Sequence, residues 1–360
     1  MARPSSKPPL PKYVAVDLFS GCGGLTQGLK DAGFTVIGAI EIDRLAAATY
    51  ARNHPEVLVK HANIRNVNPT EFMEDLGVRT GDIDLLCGCP PCQGFSTIRT
   101  RNGARRNRDA RNGLSSEMLR FVEAMRPKAF MMENVPGLAE HKSFKALCGG
   151  LRRLGYHVHW QVTDAQFFGV PQRRRRIILL AGLGFGITLA PRARTRPTVR
   201  TAIGGLSSPG VSGDELHDYP ERRSKQVMRL IRDVPKDGGS RTDLPRARQL
   251  ACHKRRDGFY DIYGRMAWDK VAPTITGGCF NPSKGRFLHP EQDRAITLRE
   301  AALLQTFPKH YHFDLSSGKE AAAAMIGNAL PPEFIRRQGV QVRKALTCAA
   351  AKSTSLVRHA

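Results

Sequence analysis

The stretch "LLCGCPPCQGFS" at residues 85–96 places three cysteines within six positions, with two prolines directly before the third. Cysteines at this density can bind a metal ion, form a disulfide, or leave one thiolate aimed at a substrate. Cys89 and Cys92 have the spacing of a zinc half-site, but prolines fill the gap and no matching Cys or His pair follows. A disulfide between such close residues would be strained. The pattern favours Cys92 as a nucleophile, with Cys87 and Cys89 as small apolar side chains, and no metal site is expected.

A strongly basic stretch, "STIRTRNGARRNRDARN", follows Cys92 at once. Cationic groups near a thiol stabilise its reactive thiolate form. The Asn and Gly content predicts a loop, and the charge of this loop suits a phosphate backbone.

A second pattern with chemical meaning lies near the N-terminus. An apolar run at residues 13–19 predicts a buried strand, which is followed by a glycine-rich turn, a helix, and a second strand that ends at Glu41. Glu41 stands twenty positions beyond Gly21, and an acid at this distance can bind two ribose hydroxyls. Thr26 stands where a dinucleotide fingerprint has a glycine, so the pattern predicts an adenosine-bearing ligand without specifying a dinucleotide. The turn contains Gly21, Gly23 and Gly24.

The composition also predicts a polyanionic binding partner. The chain has 360 residues, of which 41% are hydrophobic, and 56 Lys and Arg against 32 Asp and Glu give a net charge of +24. Such an excess favours nucleic acid. No stretch predicts a signal peptide or a membrane span, and the eight cysteines are typical of reduced thiols in a large cytosolic protein.

Apolar runs alternate with segments of helical spacing over the first half of the chain. This alternation predicts an α/β fold with a doubly wound, mostly parallel sheet that binds ligands at the carboxyl ends of its strands. Glu41, Asn63, the segment from Cys89 to Cys92, and Glu133 all fall at or just past predicted strand ends. The further runs lie at 57–64, 83–88, 129–135, 157–163 and 176–182, and the helical segments include 116–125 and 144–155.

The amino-acid composition changes after residue 186. Residues 187–290 are rich in Pro, Gly, Arg and Ser, which predicts a second, smaller, irregular and basic domain, and regular patterns return near residue 295. We predict tails at 1–12 and 347–360. A catalytic and cofactor-binding domain would consist of residues 13–186 and 291–346.

Seven segments resemble, in order, the motif set of the DNA (cytosine-5) methyltransferases. The resemblance spans residues 13 to about 335 apart from the second domain, and its segments are "DLFSGCGG", "EID", "PPCQGFS", "MENVPGL", "GVPQRRRRI", "LREAALLQTFP" and "IGNALPP". It implies the Rossmann-like fold of S-adenosylmethionine-dependent methyltransferases, with 187–290 as the target-recognition domain. It also implies methyl transfer to carbon 5 of a flipped-out cytosine in a specific duplex DNA sequence, with S-adenosylhomocysteine as product.

The resemblance assigns the catalytic roles. The Cys92 thiolate would add to carbon 6 of cytosine, and Glu133 would hold ring nitrogen 3 and the exocyclic amine. Arg174 and Arg176 match the family's arginine pair. Because alternate residues of a strand face opposite sides, these two should face the cytosine together, contacting its carbonyl oxygen and positioning Glu133 and nearby backbone.

The resemblance also assigns ligand contacts. Phe19 would stack near the adenine, Glu41 would bind the ribose, Ile42 would lie against the adenine, and Asn328 would close the pocket. Asn63 replaces the family's usual Asp, but its side-chain oxygen can still accept a hydrogen bond from the adenine amino group. The full cofactor set is Phe19, Gly21, Gly23, Gly24, Glu41, Ile42, Asn63, Ile64, Pro91 and Asn328. The DNA contacts are assigned to Gln93, Ser96, Arg99, Thr274 and Thr276.

Two other hypotheses stay open. One is a tRNA cytosine-5 methyltransferase of the same superfamily, although the basic region 187–290 favours a reader of duplex DNA. The other is a non-catalytic DNA-binding relative, which the intact Cys92, Glu133 and arginine pair disfavour. We expect a monomer in the bacterial cytoplasm, associated with the nucleoid and without membrane or metal. A cognate restriction endonuclease in the host, not directly bound, is a further hypothesis.

Overall fold

The computed structural model describes residues 11–91, 113–250 and 261–357. Within these ranges seven strands form one mixed sheet in the order β3-β2-β1-β4-β5-β7-β6. The five strands from β3 to β5 in this order are parallel, and β7 runs antiparallel to β5 and β6. The strands are β1 (Val14–Leu18), β2 (Thr35–Glu41), β3 (Leu58–His61), β4 (Leu85–Gly88), β5 (Ala129–Asn134), β6 (Tyr156–Asp164) and β7 (Arg175–Leu183). The predicted doubly wound, mostly parallel sheet is confirmed.

Helices cover both faces of this sheet. The helices are α1 (Gly24–Asp31), α2 (Arg44–Asn53), α3 (Pro69–Leu76), α4 (Leu114–Met125), α5 (Lys142–Arg153), α6 (Val199–Ile203), α7 (Glu215–Asp218), α8 (Lys225–Asp233), α9 (Leu298–Leu304), α10 (Gly318–Asn328) and α11 (Pro332–Val357). Helices α3, α4 and α5 pack on one face, and α1, α2 and α11 pack on the other.

The two faces arise from the alternation of side chains along each strand. Val14, Val16 and Leu18 of β1 pack toward α3, α4 and α5, whereas Ala15 packs toward α1 and α11. Strands buried on both faces need apolar residues at every position, which explains the continuous apolar runs in the sequence. Each fully buried aliphatic side chain contributes about 1.5–3 kcal/mol to folding.

The region 187–290 has little regular structure among its described residues. A buried guanidinium organises part of it, because Arg265 is 0% exposed and donates hydrogen bonds to four backbone carbonyls. These carbonyls belong to Ile231, Val234, His289 and Gln292, and Arg265 also pairs with Asp293 at 2.7 Å. One cation thus joins α8 to the segment that precedes α9.

Two predicted boundaries differ from the structure. The prediction of a tail over 347–360 is wrong as far as Val357, because α11 continues to that residue. The segment "ALTCAAAKSTSLV" is rich in good helix formers, and a hydrogen bond between Tyr13 Oη and Thr347 Oγ1 (2.6 Å) links the helix to the start of β1. Second, the predicted division at 290/291 does not coincide with a break in packing. One apolar cluster contains side chains from both sides of it, including Met266 and Ile296.

Candidate active site

The parallel strands bring the predicted site residues to one edge of the sheet. Glu41 ends β2, Asn63 follows β3, Cys89 follows β4, and Glu133 lies one residue before the end of β5. Since neighbouring strands lie about 4.8 Å apart, Glu41 and Glu133 belong to strands separated by about 14 Å across β1 and β4. One half of the edge therefore carries the nucleotide-type pattern, and the other half carries the reactive groups.

The glycine turn after β1 contains one open position and two crowded ones. Gly21 has a φ angle of 55°, and a Cβ added there would meet no described atom within 4 Å. A Cβ at Gly23 would lie 2.5 Å from Tyr311 Oη, and one at Gly24 would lie 2.5 Å from the carbonyl oxygen of Leu330. Gly21 is therefore the position that offers space to a ligand, while Gly23 and Gly24 are required by close packing within the protein.

The side chain of Tyr311 packs against this turn and stabilises it. Its Oη donates a hydrogen bond to the carbonyl oxygen of Cys22 (2.6 Å) and lies 3.0 Å from His54 Nε2. Burial lowers the pKa of His54 to about 4, so the ring is neutral at pH 7 and its Nε2–H can donate to the tyrosine oxygen. The sequence patterns gave no indication of either residue.

Backbone amides fix the carboxylate of Glu41. Its Oε2 accepts from the Gly21 N–H (2.7 Å), and its Oε1 accepts from the N–H groups of Ile42 (2.9 Å) and Asp43 (2.8 Å). A carboxylate offers about four acceptor positions, so the remaining capacity lies on Oε2. The carboxylate is thus oriented before any ligand arrives, and it can accept one further strong hydrogen bond from a hydroxyl, where the sequence pattern predicted two.

The side chains flanking Glu41 fit an adenosine. Ile42 is 61% exposed, which is unusual for a large apolar residue and suits stacking against a flat ring. Asn63 is half-buried, and its Oδ1 accepts from the Arg65 N–H at 3.1 Å, which occupies part of its acceptor capacity. Ile64 is buried in the core, so its side chain is directed away from solvent. Phe19 is half-buried with a φ angle of 59°, an uncommon value for a residue other than glycine.

Glu133 is the central polar group of the other half. It is 1% exposed, and its Oε2 accepts a hydrogen bond from the Cys89 thiol at 3.0 Å. Arg176 Nε lies 2.9 Å from Oε1 and forms an ion pair with it. The N–H direction of this pair does not produce a hydrogen bond, so Oε1 has no hydrogen-bond partner among the described residues. A buried carboxylate oxygen is therefore available to a ligand's N–H group.

Arg174 and Arg176 point inward while Arg173 and Arg175 are exposed, as the strand alternation predicts. The two inward arginines have different partners. Arg174 is 3% exposed and donates to three backbone carbonyls, whereas Arg176 pairs with Glu133. The carbonyls are those of Ile275 (3.0 Å), Gly327 (3.2 Å) and Ala329 (3.1 Å). Burial, and then the Arg176 charge, lower the pKa of Arg174 to about 9, so it stays protonated at neutral pH.

A buried polar network connects three of the sequence motifs. Gln172 donates to Gln305 Oε1 (2.9 Å) and accepts from the Ile275 N–H (2.9 Å), and Gln305 donates to the carbonyl oxygen of Ile326 (2.7 Å). The loop around Ile275 is thereby held against the end of α10. These glutamines were missed from the sequence, although a polar residue within an apolar segment such as "LLQTFP" is a usable signal.

The remaining predicted residues lie around this network. Asn328 ends α10 and is exposed, and Pro91 is exposed beyond β4. Thr274 and Thr276 are half-buried, and Thr274 Oγ1 donates to the Arg173 carbonyl oxygen at 2.6 Å. The predicted residues Cys92, Gln93, Ser96 and Arg99 lie outside the described residues.

Two further properties concern the described part of the chain. No group of three or more His, Cys, Asp or Glu side chains in it could hold a metal ion. None of its helices has both the length and the apolar character that crossing a bilayer requires.

Comparisons with known proteins identify the family of the chain. The sequence model of the family described as C-5 cytosine-specific DNA methylase matches residues 13–344. The Type II methylase M.HgiDII of Herpetosiphon aurantiacus is 37% identical over 333 residues, covering 88% of this chain and 91% of the relative. The Type II methyltransferase M1.HphI of Haemophilus parahaemolyticus is 34% identical over 325 residues, covering 88% and 83%.

Solved structures show the same fold. A putative DNA modification methyltransferase encoded within an E. coli prophage has a TM-score of 0.68 at 24% identity, covering 93% of this chain and all of that chain. The Dnmt2 methyltransferase of S. pombe has a TM-score of 0.58 at 19% identity, covering 94% and 99%. With the family match over residues 13–344, the conclusion is direct: this chain belongs to the C-5 cytosine-specific DNA methylase family.

Proposed function

We propose that this chain transfers a methyl group from S-adenosylmethionine to carbon 5 of a cytosine flipped out of a specific duplex DNA sequence, through a temporary adduct with Cys92. One observation carries the proposal beyond family membership. Two buried polar atoms in the candidate active site, Glu133 Oε1 and Arg174 Nε, have no hydrogen-bond partner among the described residues. Because buried polar atoms without a hydrogen bond are costly, this donor, and this acceptor whose contact with Arg176 is an ion pair only, indicate a polar ligand such as a pyrimidine.

The cofactor half of the site fits S-adenosylmethionine. Glu41 would receive a ribose hydroxyl on Oε2, the exposed Ile42 would contact the adenine, and the open space beside Gly21 would receive the amino-acid part. Asn63 would accept from the adenine amino group with its remaining acceptor capacity. When bound, the cofactor supplies a methyl group on a positively charged sulfur and leaves as S-adenosylhomocysteine.

The chemical steps assigned to the protein begin with Cys92. Its thiolate would form a bond to carbon 6 of the cytosine, which shifts the electron pair of the 5,6 double bond toward carbon 5 and makes that carbon nucleophilic. After methylation, water would take the carbon 5 proton, the carbon 6–sulfur bond would break with its electron pair leaving on the Cys92 thiolate, and the aromatic ring would be restored. This role rests on the sequence and the family, since Cys92 lies outside the described residues.

Glu133 and the two arginines would stabilise the base during these steps. Glu133 Oε1 would accept a hydrogen bond from the exocyclic amine, and from ring nitrogen 3 only once that nitrogen has taken up a proton, while Arg176 would keep the carboxylate in place. Arg174 would hold the Ile275 loop and the end of α10, with its Nε–H directed to the base oxygen. Arg174 is bonded to backbone carbonyls, so this donor needs little reorganisation when the base enters.

Duplex DNA is the proposed substrate. The net charge of +24 suits a polyanion, and a base within a duplex is reached only after flipping. Gln93, Ser96 and Arg99 are proposed to contact DNA near the flipped base. Thr274 and Thr276 lie on the loop that Arg174 holds, which supports a phosphate contact there, and the basic region 187–290 would read the sequence in the major groove.

The biological setting follows from the relatives. The two sequence relatives cited are named as Type II enzymes of bacteria, which supports a bacterial setting. We propose a monomer in the cytoplasm of such a bacterium, bound to nucleoid DNA, that protects sites from a restriction endonuclease to which it does not bind.

The test compares wild type with Cys92→Ser, using Cys348→Ser, an exposed thiol far along the chain, as control. We expect bisulfite sequencing to find 5-methylcytosine at one short sequence in cells that express wild type or Cys348→Ser, and none with Cys92→Ser. Duplex DNA with 5-fluorocytosine at that site should trap wild type covalently, because fluorine cannot leave as a proton does. Methylation of tRNA but not DNA, or normal turnover by Cys92→Ser, would refute the proposal.

A further inference from the structure

Cys89 is adjacent to Glu133 because of the register between two neighbouring strands. Strand β4 pairs with β5 so that Gly88 lies opposite Met132, and the next residue on each strand is Cys89 and Glu133. The amide of Asn134 also donates to the Pro90 carbonyl oxygen at 2.8 Å, which holds the chain beyond Cys89 against β5. The thiol is therefore presented to the carboxylate by rigid structure on both strands.

The carboxylate of Glu133 is approached from two sides. The Cys89 S–H donates to Oε2 at 3.0 Å, and Arg176 Nε lies 2.9 Å from Oε1 without an aligned hydrogen bond. The Glu133 side chain is 2% exposed, so surrounding water offers little substitute for either contact. The orientation of the carboxylate plane thus depends on two contacts, one with the Cys89 thiol and one with the Arg176 guanidinium.

Without the thiol, a different arrangement becomes favourable. The terminal torsion of a glutamate is soft, so its carboxylate rotates easily. A guanidinium prefers to bind a carboxylate through two parallel hydrogen bonds, one to each oxygen. Rotation toward Arg176 would form such a pair and would use Oε1, the oxygen that is available to a base.

We propose that Cys89 is a positioning residue for methyl transfer, whose thiol holds Oε2 of Glu133 and so keeps Oε1 directed at the cytosine. This inference rests on the proposed function, because it assumes that Glu133 contacts the base. Cys89 itself touches neither base nor cofactor in this account. Its effect is exerted through the orientation of one carboxylate.

The experiment compares Cys89→Ala with Cys89→Ser, because both remove the sulfur and only serine keeps a donor. We expect Cys89→Ala to lower kcat about tenfold, equivalent to about 1.4 kcal/mol, with KM for DNA and for S-adenosylmethionine unchanged. Cys89→Ser should stay within about threefold of wild type. The matched control is Cys87→Ala, because Cys87 lies on the same strand and its thiol donates to the Val16 carbonyl oxygen (3.2 Å) instead of a carboxylate.

Thermal melting of each variant separates folding from positioning. A kcat for Cys89→Ala equal to that of wild type would overturn the inference. So would equal losses in the Ala and Ser variants at unchanged melting temperature, because packing of the sulfur would then explain both. Failure of the proposed function is distinguishable, since wild type itself would form no 5-methylcytosine. If wild type methylates DNA and Cys89→Ala does so equally well, only the role of Cys89 is refuted.

Discussion

Gly21 and Gly23 occupy the same turn but should respond differently to an added methyl group. Their φ angles are 55° and 96°, so alanine at either position costs backbone strain of about 1–2 kcal/mol. At Gly21 the new Cβ meets no described atom within 4 Å, whereas at Gly23 it lies 2.5 Å from Tyr311 Oη and 2.7 Å from His54 Nε2. Overpacking adds about 1–3 kcal/mol, so Gly23→Ala should lower the free energy of unfolding by about 2–5 kcal/mol in total.

Affinity for the cofactor should depend on Gly21, whereas stability should depend more strongly on Gly23. Gly21→Ala places a methyl group in the space proposed for the amino-acid part of the cofactor, so we expect at least about tenfold weaker binding of S-adenosylhomocysteine with only the strain cost in stability. Urea denaturation and isothermal titration calorimetry measure the two quantities. Gly81→Ala is the matched control, because its φ angle is 91° and its Cβ also meets nothing within 4 Å. Equal destabilisation at Gly21 and Gly23, or wild-type affinity in Gly21→Ala, would contradict this prediction.

Three further predictions concern buried charges and the adenine contact. Arg176→Ala should destabilise the protein by about 3 kcal/mol because it leaves the Glu133 carboxylate buried without its cation, and the loss should shrink in a Glu133→Gln background; additive losses in a double-mutant cycle would contradict this. Burial raises the pKa of Asp17 from 3.8 to about 8. The folded protein therefore keeps a proton that the unfolded chain releases, so stability should fall by up to about 1.4 kcal/mol per pH unit between about pH 4 and 8. Asp17→Asn should remove this slope in urea titrations from pH 5 to 9, and an unchanged slope would count against the assignment. Asn63→Asp should change affinity for S-adenosylhomocysteine in calorimetry without changing the methylated sequence, and unchanged affinity would argue against the adenine contact.

Local patterns predicted the elements of the sheet and the cofactor half of the site. The strand, glycine turn and helix of residues 13–33 lie close together in the chain, so their spacing alone indicates their geometry. The acid at the end of β2 followed from the same unit. Gly23 and Gly24 show the limit of this approach. Their packing partners, Tyr311 and Leu330, lie about 300 positions away and carry no local signal.

The geometry of the catalytic half arises from contacts between segments that are distant in the sequence, so local patterns did not predict it. The partnership of Cys89 and Glu133 requires that β4 and β5 be neighbours in a particular register, which periodicity does not specify. The inward direction of Arg174 was predictable from alternation along β7, but its carbonyl partners come from residues more than 100 positions away. The end of α11 was not predicted because a polar, alanine-rich segment is compatible with either a helix or a loose tail. The contact with Tyr13 that favours the helix is not visible in the sequence.

The interior position of Arg265 bears on how the proposed target-recognition region, residues 187–290, can acquire new sequence preferences. A single cation fastens α8 to the segment before α9 through backbone oxygens, which every amino acid possesses. Exposed segments between these anchor points are therefore free to diverge in side chain without loss of the scaffold. Transplanting such segments from a relative should yield folded chimaeras with altered target choice as long as this arginine is retained, and insoluble ones once it is replaced.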